Sequence, residues 1–67
     1  MSTVARVTTI TSRSVESFED AVSNGIARAS ETLRHIEGAW IKDQTVVVTG
    51  GKVSSWQVVL EITFVLE

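Results

Sequence analysis

Cysteine and proline are both absent from this chain of 67 residues, and histidine occurs once. Without cysteine there is no disulfide to staple a small fold and no thiolate to hold a metal. A single histidine, His35, excludes a multi-histidine zinc site within one chain. Without proline there is no rigid proline-rich linker, and no low-complexity tract or repeat interrupts the chain. Charge is sparse: six Lys and Arg against eight Asp and Glu leave a net charge of −2. No basic cluster forms, so nucleic acid is not an expected partner. The start, Met1-Ser-Thr-Val-Ala-Arg, has no apolar core of the signal-peptide kind. No apolar run reaches the roughly 20 residues of a membrane-spanning helix. A soluble, cytoplasmic protein with no membrane partner is expected, and the lack of cysteine fits a reducing compartment.

The residues of acid–base and nucleophilic chemistry are equally scarce. There is no cysteine, no glycine-rich phosphate loop and no pair of carboxylates sharing a face. His35 has no acidic residue at catalytic spacing. An enzyme is not expected.

What the chain does have is a long alternating end. Trp56, Val58, Leu60, Ile62, Phe64 and Leu66 fall on one side of an extended strand, and Gln57, Val59, Glu61, Thr63, Val65 and Glu67 on the other. At about 3.4 Å per residue these twelve residues span on the order of 40 Å, roughly twice the usual strand. Residues 1–67 are expected to form one domain. A domain this small buries only about 60% of its unfolded surface and is marginal alone. With disulfides and metal removed as remedies, association with further copies is what remains.

Residues 3–11 are rich in β-branched side chains and predict a first strand. Ser14 then predicts a helix N-cap, with Glu16 and Glu19 in the first turn. Val15, Phe18, Val22, Ile26, Ala29, Leu33 and Ile36 recur every three or four residues and form one stripe of an amphipathic helix ending near His35. His35 is expected to stabilise the dipole at that end. Gly25 inside the helix points to close packing of helix on sheet, at a cost of about 1 kcal/mol against alanine. Residues 39–48 predict a second strand, and Thr49-Gly50-Gly51-Lys52 a tight hairpin turn.

Centring that turn on Gly50-Gly51 predicts a register. Trp40 lies opposite Glu61, Lys42 opposite Val59, Gln44 opposite Gln57 and Val46 opposite Ser55. These share a face that no helix of the chain covers, and a tryptophan among amides and a carboxylate there suggests a subunit interface or a ligand platform. Ile41, Thr45 and Val47 join Trp56, Val58, Leu60, Ile62 and Phe64 on the core face. Strict alternation also puts Asp43 on the core face, where an unpaired carboxylate is costly. Either a bulge re-aims it or it lies at an open end of the sheet. Glu61 is a cation ligand only where several copies converge, since one carboxylate per chain makes a poor calcium site.

The β-α-β-β order, the helical segment Ile26-Ala-Arg-Ala-Ser-Glu-Thr-Leu-Arg-His and the ending Trp56-Gln-Val-Val-Leu-Glu-Ile-Thr-Phe-Val-Leu-Glu resemble the dodecins over essentially the whole chain. The resemblance implies an α+β fold: a three-stranded antiparallel sheet wrapped around one helix, assembling as a hollow homododecamer. It implies storage of a small ligand: a flavin (FMN, riboflavin or FAD) stacked in pairs at two-fold interfaces, or coenzyme A or a cation, as in other members. Gln57 matches the glutamine that hydrogen-bonds the isoalloxazine edge, and Asp43 a carboxylate near the ribityl chain. Gly38 stands where flavin-binding members carry the stacking tryptophan, and Thr45 where bacterial flavin binders tend to carry arginine. Trp40 is two residues from Gly38, about 7 Å along a strand. The expected ligand-binding residues are Trp40, Asp43, Gln44 and Gln57, with Glu61 as a metal candidate. The alternative is a structural shell of the same kind without flavin.

Overall fold

A computed structural model describes residues 2–66. The element order is β1 (Ala5–Ser14), α1 (Phe18–Ala29), β2 (Ile36–Thr49) and β3 (Lys52–Val65). The strands form one antiparallel sheet in the order β1-β3-β2, so the long C-terminal strand is central. The expected β-α-β-β arrangement of one helix on a three-stranded antiparallel sheet is what the chain adopts. The hairpin of β2 and β3 gives the molecule a long axis of 54 Å against a thickness of 13 Å. The expected facing of Glu67 lies outside the described residues.

β1 runs three residues further than its β-branched composition predicts, because Ser12, Arg13 and Ser14 pair with Val58, Gln57 and Trp56. Pairing to a long central strand overrides the weak strand preference of serine. Ser14 is therefore the end of a strand and not the N-cap. Its hydroxyl accepts from the Glu16 amide at 2.9 Å and donates to Asp20 Oδ2 at 2.6 Å. The cap is Ser17, whose Oγ accepts from the Asp20 amide at 2.9 Å. Glu19 and Asp20, not Glu16, occupy the first turn.

The helix also ends earlier than its apolar stripe suggests. After Ala29, Ser30 Oγ donates to the Ile26 carbonyl at 2.8 Å, and the Leu33 amide donates to the Ala29 carbonyl at 2.9 Å. Hydroxyl side chains that satisfy nearby carbonyls compete with further helix. His35 then takes a φ of 60°, a left-handed conformation in which histidine is enriched. It turns the chain into β2, and its carbonyl accepts from the Val65 amide at 3.0 Å. His35 thus closes a strand connection and does not sit on a helix terminus. Val15 lies before the helix and is exposed.

One face of α1 is made of small residues: Ala21, Gly25 and Ala29 are buried. They rest on Val58, Leu60 and Ile62 of β3, each fully buried, with Ile10, Phe18, Val22, Ile26, Leu33 and Ile36 packed around them. A Cβ on Gly25 would lie 3.0 Å from Ser12 Cβ and 3.1 Å from Leu60 Cδ1. The glycine is there because the helix backbone lies against the sheet. The turn holds Gly50 at φ 59° and Gly51 at φ 76°, the two positive values of a type I′ hairpin.

β2 is left uncovered. Ile41 and Val46 lie on the helix side of the sheet, opposite Leu60 and Trp56, yet remain 45% and 41% exposed. Between β2 and α1 runs an open apolar groove lined in part by Val22, Ile26, Ile36, Ala39, Ile41 and Leu60.

Candidate functional site on the outer sheet face

Partners directly opposite in an antiparallel ladder share a face. On the side away from α1, β3 presents Gln57, Val59, Glu61 and Thr63. β1 adds Arg13, Thr11, Thr9 and Val7 opposite them, and β2 adds Thr45, Asp43, Trp40 and Gly38. The hairpin register holds at Trp40 opposite Glu61, at Ile41 opposite Leu60 and at the turn, but not from Asp43 to Val47. Lys42 is the extra residue of a bulge between Ile41 and Asp43, and a second irregularity lies at Val47 and Val48. Between the two, every pairing shifts by one residue. Gln57 therefore faces Thr45, and Gln44 faces Val58 on the helix side. The expected Gln44–Gln57 pair does not exist, and Gln44 does not share a face with Trp40. Lys42 does not pair with Val59, Val46 pairs with Trp56 on the helix side, and Thr45 and Val47 leave it. A bulge has this effect because one added residue inverts the alternation downstream.

The same bulge re-aims Asp43. It stands opposite Val59 on the outer face, so its carboxylate avoids the core. Trp40, Asp43, Thr45, Gln57 and Glu61 are gathered on one surface, with Trp40 54% exposed. Four residues separate Gln57 from Glu61, the partner of Trp40, which is about 13 Å along the sheet. Gly38 lies further along, opposite Thr63, with nothing within 4 Å of where its Cβ would be.

Two polar pairs organise this face, and both draw on β1. Glu61, only 14% exposed, accepts from Thr9 Oγ1 at 2.6 Å and lies 3.7 Å from Lys42 Nζ. The ion pair is partly open to water and adds little to stability, but it occupies the carboxylate. Gln57 Oε1 accepts a short hydrogen bond from Arg13 Nε. The sequence reading missed Arg13 and Thr9, because the hairpin turn sets the β2–β3 register alone. The one available signal was the alternation of β1 itself, which places Thr9, Thr11 and Arg13 on a common side.

Among the described residues no group of three or more His, Cys, Asp or Glu is placed to hold a metal ion. No helix among them is long and apolar enough to cross a membrane.

The sequence profile of the Dodecin family matches residues 4–67. The dodecin of Thermus thermophilus is 39% identical over 54 residues, covering 81% of this chain and 78% of that protein. The structure of dodecin from Streptomyces coelicolor superposes with a TM-score of 0.91 at 34% identity, covering 97% of this chain and 93% of the other. The calcium-chelating immunodominant antigen of Mycobacterium tuberculosis, calcium dodecin, which has a novel calcium-binding site, superposes with a TM-score of 0.81 at 28% identity, covering 96% and 91%. With this profile match over nearly the whole chain and this identity to the dodecin of Thermus thermophilus, this chain belongs to the dodecin family.

Proposed function

We propose that this protein binds and stores a small planar ligand on the outer sheet face, inside a shell of twelve copies, without turning the ligand over. The observation that carries this reading is the bulge at Lys42, which brings Asp43 and Thr45 to the face that Trp40 and Gln57 share. Trp40 supplies a ring for stacking, and Gln57 supplies hydrogen bonds about 13 Å away. A ligand that meets both is either a long tricycle such as isoalloxazine or is shared between copies. Flavin is the first choice, as FMN, riboflavin or FAD, with coenzyme A as a second nucleotide-type candidate. Flavin fits at Gln57 and Asp43 and fits less well at Gly38, where no side chain covers the ring. A cytoplasmic setting belongs to the same proposal.

Self-association is supported by what the chain leaves open. Ile41, Val46, Val47, Val48 and Val53 are all exposed along an arm that α1 does not reach, and the groove beside α1 is apolar. So much clustered apolar surface marks an interface, and further copies of the chain are the occupants proposed.

Riboflavin titrated with protein tests the ligand. Quenching of its fluorescence at micromolar protein is expected, and unchanged fluorescence would remove the flavin reading. The second reading, a shell without flavin and with ions on its axes, is favoured by Gly38. A cation at Glu61 would compete with Lys42 and Thr9 for the carboxylate and would need carboxylates from several copies.

A further inference from the structure

We propose that Arg13 is a positioning residue of the outer face: its guanidinium holds the Gln57 carbonyl, so that Gln57 meets a ligand only as a hydrogen-bond donor. This rests on the reading of the outer face as a ligand site.

The argument starts from the amide itself. Gln57 has one acceptor oxygen and an NH₂ group, and the two can exchange places by rotation about the last side-chain bond. Arg13 Nε donates to Gln57 Oε1 across the β1–β3 ladder, where the two residues are direct partners. Rotating the amide would set its NH₂ against the N–H of a cation that cannot lose its proton. A charge-assisted hydrogen bond of this kind is roughly twice as strong as a neutral one, so the orientation is fixed. What Gln57 then offers a ligand is its two N–H groups. The held amide presents donors only. The ligand edge it selects is rich in acceptors, of the imide or carbonyl type. Arg13 is exposed and its pair is half-buried, so removing the guanidinium leaves the fold intact.

The test is riboflavin affinity in the wild type, Arg13→Ala, Arg13→Lys, Gln57→Ala and the double variant Arg13→Ala/Gln57→Ala. Arg13→Ala is expected to weaken binding about tenfold, and Arg13→Lys, which keeps a donor, to recover most of it. In the Gln57→Ala background, Arg13→Ala is expected to have no further effect, since the guanidinium acts through the amide. An Arg13→Ala affinity within about twofold of wild type, or two losses that simply add, would overturn the proposal. If the wild type leaves riboflavin fluorescence unchanged, the flavin reading fails by itself. The positioning role is then read from the ¹⁵N–¹H signals of the Gln57 side-chain amide. They move in Arg13→Ala if the guanidinium holds the carbonyl, and stay in place if it does not.

Discussion

Replacing Gly25 by alanine is expected to destabilise the protein, against the helix preference of the two residues. In an exposed helix interior alanine is favoured over glycine by about 0.8–1.0 kcal/mol. At position 25 the added methyl meets Ser12 Cβ at 3.0 Å and Leu60 Cδ1 at 3.1 Å. Ser12 Cβ is fixed to a strand paired on the central β3 and cannot swing away. Leu60 is fully buried, and its movement would disturb Val58 and Ile62. Overpacking of this kind costs about 1–3 kcal/mol. A helix that retreats also stretches the 2.7 Å hydrogen bond from Ser12 Oγ to the Ala21 carbonyl, whose loss costs about 0.5–1.5 kcal/mol. The contact outweighs the preference, for a net loss of about 0.5–4 kcal/mol. Ala27 is an exposed position on the same helix, and Ala27→Gly should lose about 1 kcal/mol by propensity alone. Urea denaturation of both variants and the wild type at one fixed protein concentration measures this, since association shifts apparent stability. A Gly25→Ala variant more stable than wild type by about 1 kcal/mol would refute the close-approach argument.

Further outcomes follow from single contacts. Gly38→Trp has open space for its side chain and should tighten riboflavin binding by about tenfold or more through stacking, read by fluorescence quenching. Ile41→Asp places a charge on the open helix-side surface of β2 and should shift the assembly to smaller species in light scattering, with helix content retained by circular dichroism. Ser17→Ala removes the N-cap hydrogen bond to the Asp20 amide and should cost about 1 kcal/mol in urea denaturation.

The periodic parts of this chain were legible in its sequence. The alternation of residues 56–66 and the Gly50-Gly51 turn predict β3, β2 and the pairing of Trp40 with Glu61 correctly. The dodecin resemblance and the β-α-β-β order agree with what the chain adopts. The misreadings in the strands share a physical cause, which is that local pattern does not report pairing with a distant partner. Serine and arginine at 12–14 look like a turn, yet β3 draws them into the ladder. The helix stripe continues through Leu33 and Ile36, but hydroxyl side chains and the left-handed His35 end the helix earlier. The bulge at Lys42 leaves no mark in the alternation except Asp43, whose costly position under strict pairing was the one hint that a residue had been inserted. Gln44 lost its place on the outer face to that same insertion. Arg13 and Thr9 could be joined to Gln57 and Glu61 only once the β1–β3 register was known.

The central claim is that copies of this chain form a shell whose outer sheet faces hold a planar ligand. Native mass spectrometry of the protein mixed with riboflavin addresses both halves at once. The expected result is a species with the mass of twelve chains, carrying riboflavin, and losing that added mass in Gln57→Ala while the twelve-chain species persists. A folded monomer at low micromolar concentration, or a twelve-chain species that takes up no riboflavin, would contradict the account.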